Sequence, residues 1–202
     1  MIAGILLAAG SASRFGSQKL LVRLPDGRRI VEVSATNLIA ACAGNVVAVT
    51  RRDAGLIAVL EACGCRVVIN EHADQGMGTS IAAGVSATPD AGGWLIALGD
   101  MPSIRVGTVA AVADAVRGGA RIAMPAMAGR RGHPVGFSAA YRARLQLLTG
   151  DSGAREILKA DAAFVDEISV DDVGIFADID TPGDLKHWGT SDQVLRQAQD
   201  ER

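Results

Sequence analysis

Residues 2–8 read IAGILLA, and the chain continues over 8–19 as AAGSASRFGSQK. The first stretch shows little alternation of apolar and polar residues, which is typical of a strand covered on both faces of a parallel sheet. The second is rich in glycine and serine and carries Arg14 and Lys19. Ligands of parallel α/β proteins bind beyond the carboxyl ends of the strands. This loop is therefore either a surface turn with solvated charges or a cradle for phosphates.

Similar apolar runs recur along the chain and alternate with helical patterns. Runs rich in valine and isoleucine occupy 45–50, 66–70, 94–100, 121–126 and 164–170, and helical patterns occupy 30–43, 53–63, 77–87 and 105–117. Such alternation predicts an α/β fold, with a mainly parallel central sheet and helices on both of its faces. The run at 94–98 lies mid-chain, so we expect it to form a central strand.

Composition and charge exclude several classes of protein. The 202 residues carry a formal net charge of −2 and only 3% of them are aromatic, so neither nucleic acid nor a membrane surface is expected as a partner. The apolar stretch at 2–8 follows no basic residue and is too short to span a bilayer, which favours a buried strand over a signal peptide. The cysteines, Cys42, Cys63 and Cys65, fit no disulfide or zinc pattern. We expect inert thiols in a cytoplasmic protein.

The chain length is that of one domain. We assign residues 1–189 to it, because no linker rich in proline, glycine or serine divides them. The remaining stretch, 190–202, is polar and charged, so it cannot bury enough apolar surface to offset the entropy of ordering. We predict that it forms a flexible C-terminal tail outside the core.

Two acidic motifs follow apolar or extended segments. The motif LGDMP places Asp100 directly after a strand, where a carboxylate either ligates Mg²⁺ or serves as a turn or helix cap. The motif ADIDTPGDL places Asp178 and Asp180 on one face of an extended segment. The Thr-Pro pair that follows, at 181–182, is typical of a helix start. Capping also offers an explanation for Asp184, but not for both of the earlier carboxylates.

Three further segments have one functional and one structural interpretation each. QGMGTSIAAG begins a helix with small residues, so Ser80 either donates to a nucleotide or packs on the sheet. GRRGHPVGF carries His133 and forms either a binding loop or a basic hairpin. TGDSGAREIL places Asp151 or Ser152 at a predicted helix start, where the segment binds an anion or simply caps the helix.

The order of these motifs is more specific than any one of them. The glycine loop matches neither a P-loop nor a dinucleotide fingerprint. However, LAAG-x3-R-x-G-x2-K, GMGTS, GDMP, GHP, GDSGAR and DIDTPGD follow one another over residues 1 to about 188. This ordered set resembles the MobA-like nucleotidyltransferase family, and within it the molybdenum cofactor cytidylyltransferases. The resemblance implies a three-layer, Rossmann-like nucleotide-diphosphosugar transferase fold and Mg²⁺-dependent nucleotidyl transfer.

The resemblance also implies roles for individual residues. It places Arg14, Lys19 and Asp100 at catalytic positions, and Asp100 and Asp180 at the ligand positions of Mg²⁺. The nucleotide-binding positions are Ala8, Ala9, Gly10, Arg14, Lys19, Gly78 and Ser80, and the acceptor-binding positions are His133, Asp151 and Arg155. An acceptor phosphate is already ionised near neutral pH and needs no general base, which fits a chain without an obvious catalytic dyad.

The substrates are also implied by the resemblance. Family members that act with GTP typically carry glycine where this chain has Ala9, so the resemblance implies CTP and a molybdopterin-type acceptor. It leaves open a transient contact with a molybdoenzyme. The same chemistry with GTP, or with a sugar or alcohol phosphate, is an alternative. A non-catalytic chaperone for molybdenum cofactor is another, although Lys19 and Asp100 argue against a pure carrier. A structural protein with a decorated turn is the least favoured.

Overall fold

The structure, a computed structural model, describes residues 1–10 and 18–188. The strands in this part of the chain are β1 (Ile2–Ala8), β2 (Val46–Thr50), β3 (Arg66–Ile69), β4 (Gly93–Leu98), β5 (Ile122–Met127), β6 (Arg130–Arg131), β7 (Val135–Ser138) and β8 (Val165–Ser169). They form one sheet in the order β3-β2-β1-β4-β7-β5-β6, and β8 also pairs with β5.

The first four strands are parallel and end at the same edge of the sheet. Ala8 at the end of β1 lies opposite Thr50 of β2, and Leu7 lies opposite Leu98 of β4. β4 lies between β1 and β7, so the prediction of a central strand at 94–98 is confirmed. The shared carboxyl edge of these strands is where a ligand is expected to bind.

β7 was not predicted, and it runs antiparallel to both of its neighbours, β4 and β5. The end of β5 at Met127 and the start of β7 at Val135 are too close in sequence for a crossover helix. A parallel connection needs roughly a dozen residues or more. The chain instead turns back through β6, which pairs antiparallel with β5, before it enters β7. This turn is the basic hairpin that the sequence offered as an alternative.

Helices cover both faces of the sheet. In the described residues they are α1 (Ile30–Ala41), α2 (Ala54–Ala62), α3 (Met77–Ser86), α4 (Val106–Arg117), α5 (Arg142–Gln146), α6 (Arg155–Ala160) and α7 (Pro182–His187). Leu6 of β1 packs in the cluster that contains α1, α2 and α4, whereas Ile5 packs in the cluster that contains α3, α5 and α6. Every residue of β1 is buried. The predicted three-layer α/β architecture is therefore confirmed.

Two predicted helix starts have opposite outcomes. α6 begins at Arg155, so the predicted start at Asp151 or Ser152 is wrong, because residues 151–154 form a turn. α7 begins at Pro182 with Thr181 as its N-cap, as predicted. Within the described ranges, no helix combines the length and the apolar character needed to cross a membrane.

Candidate active site

A cleft of about 410 Å³ opens at the carboxyl edge of the parallel strands. Its walls are formed by the end of β1, the residues after β2 and β4, the turn before α3 and the segment before α7. The polar side chains that line it are those of Gln18, Lys19, Arg51, Asp74, Ser80, Asp100, Asp151 and Asp180. The cleft therefore contains cationic, anionic and hydroxyl groups.

Lys19 lies between two carboxylates in this cleft. Its Nζ is 2.9 Å from Asp100 Oδ2 and 2.7 Å from Asp180 Oδ1, and its side chain is only 13% exposed. Burial lowers the pKa of Lys19, but the two carboxylates outweigh it, so that the pKa lies above its ordinary value. Lys19 is therefore a fixed positive charge throughout the neutral range.

Three carboxylates converge beside Lys19. One oxygen each from Asp100, Asp178 and Asp180 lies within 4.8 Å of the others. Burial, followed by repulsion from Asp180 and Asp100, raises the pKa of Asp178 to about 6. Asp178 was predicted only to share a face with Asp180, and the structure adds it to the cluster. Three carboxylate oxygens are the hard donors that Mg²⁺ and Mn²⁺ bind, so the set fits a divalent cation.

A backbone hydrogen bond brings the two acidic motifs together. Ile179 N donates to Asp100 O at 2.9 Å, although nothing local in the sequence pairs these segments. Asp184 has a different function: its Oδ2 accepts from Asp180 N at 2.9 Å and from Thr181 N at 2.7 Å. Asp184 is thus the capping residue of the turn that carries the cluster.

The structure describes only some of the residues that the sequence predicts to bind the nucleotide. Ala8, Ala9, Gly10, Lys19 and Ser80 line the cleft. Arg14 and the rest of the loop at 11–17 lie outside the described residues. Lys19 opens a short 3-10 turn, Lys19–Leu21, and Gln18 before it donates to Asp53, which also caps α2.

Sequence reasoning missed Arg51, which joins two walls of the cleft. Its Nε donates to Ala9 O at 2.7 Å and its guanidinium donates to Ala73 O at 2.9 Å. Arg51 follows β2 directly, at the edge where ligands bind. That position, a charged residue at the carboxyl end of a parallel strand, is the signal that could have identified it.

Two glycines let the TGDSG turn approach the start of α3 closely. Gly78 N donates to Gly150 O at 2.8 Å. A Cβ at Gly76 would lie 2.2 Å from the carbonyl carbon of Gly150, and one at Gly78 would lie 2.6 Å from Thr149 O. The close packing places Asp151 in the same cleft as Lys19.

The other two predicted acceptor-side residues lie near this cleft but are not among its lining residues. The ring Nδ1 of His133 is buried without a partner among the described residues, whereas the backbone N–H of His133 donates to Ile175 O at 3.0 Å. Burial lowers the pKa of His133, Asp100 opposes that shift and Arg155 adds to it. Its lowered pKa favours a neutral ring with a buried Nδ1, on which Asp100 and Arg155 both act.

The comparisons with known proteins agree with this architecture. Residues 4–165 match the model of the MobA-like NTP transferase domain. The chain belongs to this family. A relative from Paenarthrobacter nicotinovorans, described as nicotine blue oxidoreductase, is 33% identical over 189 residues, which cover 89% of this chain and 92% of the relative.

Two solved structures share the fold. A nucleotidyl transferase from Methanothermobacter thermautotroptrophicus is 24% identical, with a TM-score of 0.79 over 97% of this chain and 98% of the other. Rv0371c of Mycobacterium tuberculosis H37Rv, solved in complex with manganese, is 24% identical, with a TM-score of 0.71 over 98% of each chain. At this identity the likeness supports the Rossmann-like nucleotidyltransferase fold.

Proposed function

We propose that this nucleotidyltransferase family member transfers CMP from CTP to the phosphate of a molybdopterin-type acceptor and releases pyrophosphate. The observation that carries the proposal is the position of Lys19 between Asp100 and Asp180 in a cleft at the carboxyl edge of the sheet. This arrangement offers a positive charge for phosphates beside a carboxylate set suited to a divalent cation. The protein would act in the cytoplasm, as its cysteine usage predicts.

The proposed cation is Mg²⁺, held by Asp100 and Asp180 with Asp178 beside them. When bound, it would neutralise charge on the phosphate oxygens. The manganese complex of the Mycobacterium tuberculosis relative supports a divalent cation in this fold. Because Lys19 already pairs with two of these carboxylates, it must exchange partners as the cation and the triphosphate enter.

The transfer step needs orientation and charge rather than a base. An oxygen of the acceptor phosphate attacks the α-phosphorus of the nucleotide and forms a new P–O bond. The bond from that phosphorus to its bridging oxygen breaks, and the electron pair leaves with pyrophosphate. Lys19 and Arg14 would stabilise the charge on the triphosphate, and the cleft would hold the two substrates in line.

The two substrates would occupy opposite sides of the metal cluster. Ala9, Gly10 and Ser80 line the side that we assign to the nucleotide. The acceptor would lie towards Asp151, with His133 and Arg155 behind it. Because the TGDSG turn packs on the start of α3, the acceptor side and the nucleotide side form one continuous cleft.

The runner-up is the same chemistry with GTP or with a sugar or alcohol phosphate. Redox chemistry on a pigment is a second class, favoured only by the name of the 33% identical relative. The carboxylate set beside Lys19 favours transfer, since binding a metal–nucleotide complex requires anionic and cationic groups together.

One experiment separates these functions. Purified protein is mixed with Mg²⁺, molybdopterin and each of the four nucleoside triphosphates in turn, and pyrophosphate is measured. A parallel reaction follows the colour of nicotine blue with NADH or NADPH. We expect pyrophosphate with CTP only when molybdopterin is present. Pyrophosphate with GTP, or with a sugar or alcohol phosphate added in place of molybdopterin, would establish the runner-up, and a change of colour without pyrophosphate would overturn the transferase proposal.

A further inference from the structure

Asn70 follows β3 directly, and its side chain connects three groups beside the cleft. It is only 7% exposed, and its N–H donates to Thr50 O at 2.8 Å. Its side-chain Oδ1 accepts from His72 N at 3.0 Å. Its Nδ2 donates to Thr79 Oγ1 at 2.9 Å and to Ser80 Oγ at 3.0 Å. The side-chain amide of Asn70 thus forms hydrogen bonds with the turn before α3 and with two hydroxyls in the first turn of that helix.

The direction of each bond follows from His72. A backbone N–H can only donate, so the amide oxygen of Asn70 must face it and the NH₂ group must face the hydroxyls. Thr79 uses its own proton within the turn, because His72 O and Gly76 O both lie 2.9 Å from Thr79 Oγ1. Both hydroxyls therefore accept from Asn70.

Ser80 differs from Thr79 because it faces the cleft. It lines the cleft and is only 4% exposed. No hydrogen bond carries the proton of its hydroxyl to another described residue, while Asn70 already donates to its oxygen. A buried hydroxyl with an unused proton is costly unless a partner accepts it. The group that Ser80 offers to a ligand is thus a donor.

We propose that Asn70 is a positioning residue that makes Ser80 an obligate hydrogen-bond donor to the nucleoside part of the nucleotide. This inference rests on the proposed function. α3 packs on β1 and β2, whereas Asp100 follows β4. Ser80 and the carboxylates Asp100 and Asp180 therefore lie on different walls of the same cleft, so that one bound nucleotide could contact both. The site would select an acceptor atom there, on the base or on the sugar.

The test is Asn70→Asp, measured by calorimetric binding of CTP in the absence of an acceptor. The substitution keeps the shape but replaces the NH₂ group with an oxygen, so the introduced carboxylate draws the proton of Ser80 away from the ligand. We expect the Kd to rise about tenfold, the loss of roughly one hydrogen bond. Ser80→Ala should weaken binding equally, and the double variant should be no weaker than either.

A lower pH should change the affinity of Asn70→Asp for CTP in a way that a merely structural role of Asn70 would not produce. A protonated carboxyl can again donate to Ser80, so Asn70→Asp should regain affinity relative to the wild type as the pH falls. Ser80→Ala should not. Thr79→Val is the matched control, because it removes the other acceptor of Asn70 and leaves the proton of Ser80. It should lower the Tm more than it changes the Kd.

The outcomes separate this inference from the function on which it rests. If the wild type binds no nucleotide, the proposed function fails and the inference falls with it. If the wild type binds CTP, three results would contradict the inference alone. Asn70→Asp could bind CTP as tightly as the wild type, or the losses of affinity in the two single variants could add in the double variant. A lower pH could also restore no affinity to Asn70→Asp. Under a supporting result, an equal loss of affinity for CTP and 2′-deoxy-CTP in Ser80→Ala excludes the 2′-hydroxyl and leaves the base, the 3′-hydroxyl or the ring oxygen of the sugar as the acceptor. A loss of affinity for CTP but not for 2′-deoxy-CTP places the acceptor atom on the 2′-hydroxyl.

Discussion

Lys19 Nζ lies 2.7 Å from Asp180 Oδ1, although 161 residues separate them in sequence. The same ammonium is 2.9 Å from Asp100 Oδ2. The repulsion expected between two converging carboxylates is therefore already offset by a cation of the chain itself. A divalent cation that binds this set must compete with Lys19, and a triphosphate offers Lys19 a new anionic partner.

Lys19→Met should lower turnover by about 10²–10³, because one preorganised charge beside the reacting phosphates is lost. The same variant should bind Mn²⁺ more tightly in the absence of nucleotide, since the competing ammonium is gone. Mn²⁺ binding is followed by electron paramagnetic resonance and turnover by pyrophosphate release. Lys159→Met is the matched control, because Lys159 is an exposed lysine whose ion-pair partner in the described part of the chain, Glu156, lies in the same helix, α6. Near-normal turnover in Lys19→Met would contradict the assignment.

Asp100→Asn should abolish most Mg²⁺-dependent turnover and also lower the Tm. Carboxylate repulsion alone predicts that the amide stabilises the metal-free fold. The structure reverses that expectation, because Lys19 then loses one of its two partners in a half-buried site, a loss of about 1–2 kcal/mol. Asp180→Asn should affect turnover less, since an amide oxygen can still ligate. A higher Tm for Asp100→Asn in thermal unfolding would show that repulsion among the carboxylates outweighs the ion pair with Lys19.

The strands and long helices could be predicted because their signals are local. Apolar runs, helical periodicity and the Thr181-Pro182 cap each lie within a few residues, and the predicted bounds differ from the observed ones by only one or two residues. β7 could not be predicted in this way. Its four residues, VGFS, show no strand period, and the antiparallel pairing on both sides follows from the short return through β6.

The composition of the site depended on contacts between distant segments. The sequence marked Asp100 and Asp180 separately, but only the hydrogen bond from Ile179 N to Asp100 O shows why Asp178 joins them. Arg51 and Asn70 were missed, although each directly follows a parallel strand. Polar residues at that position are common, and their partners, the carbonyls and hydroxyls of other loops, are visible only in three dimensions.

His133 should make stability depend on pH. Its pKa in the fold is lowered by burial, and Asp100 and Arg155 are the charges that act on it. As the pH falls through the ordinary value near 6.5, the unfolded chain takes up a proton that the folded chain resists, so stability is lost in acid. The free energies of unfolding at pH 8 and at pH 5.5 should therefore differ by less in His133→Gln than in the wild type, as measured by denaturant unfolding. An unchanged difference would exclude His133 as the source.

The tail from Thr190 should be dispensable for the activity of the domain assigned to 1–189. Its composition offers too little apolar surface to offset ordering, and it lies outside the described residues. Truncation after Gly189 should leave the Tm and pyrophosphate release nearly unchanged. A large loss of either would mean that the tail docks on the domain or on a second copy of the chain.

In Gly78→Ala, a stabilising gain in helix propensity opposes a destabilising steric overlap. Alanine has a higher helix propensity than glycine, by about 1 kcal/mol in a helix interior, which is an upper bound for Gly78 as the second residue of α3. However, the alanine Cβ would lie 2.6 Å from Thr149 O, which is backbone and cannot move away as a side chain could. We expect a net destabilisation of about 2 kcal/mol in denaturant unfolding, as for other overpacked sites. The KM for the acceptor should also rise, because the TGDSG turn that carries Asp151 must shift.

Gly107→Ala in α4 is the control for this effect. A Cβ at Gly107 meets nothing within 4 Å, so propensity acts there without opposition. That variant should be up to about 1 kcal/mol more stable than the wild type and should keep its KM values. If Gly78→Ala were as stable as Gly107→Ala, the turn would not be seated on α3 in solution. The continuity between the nucleotide side and the acceptor side, which depends on that contact, would then be lost.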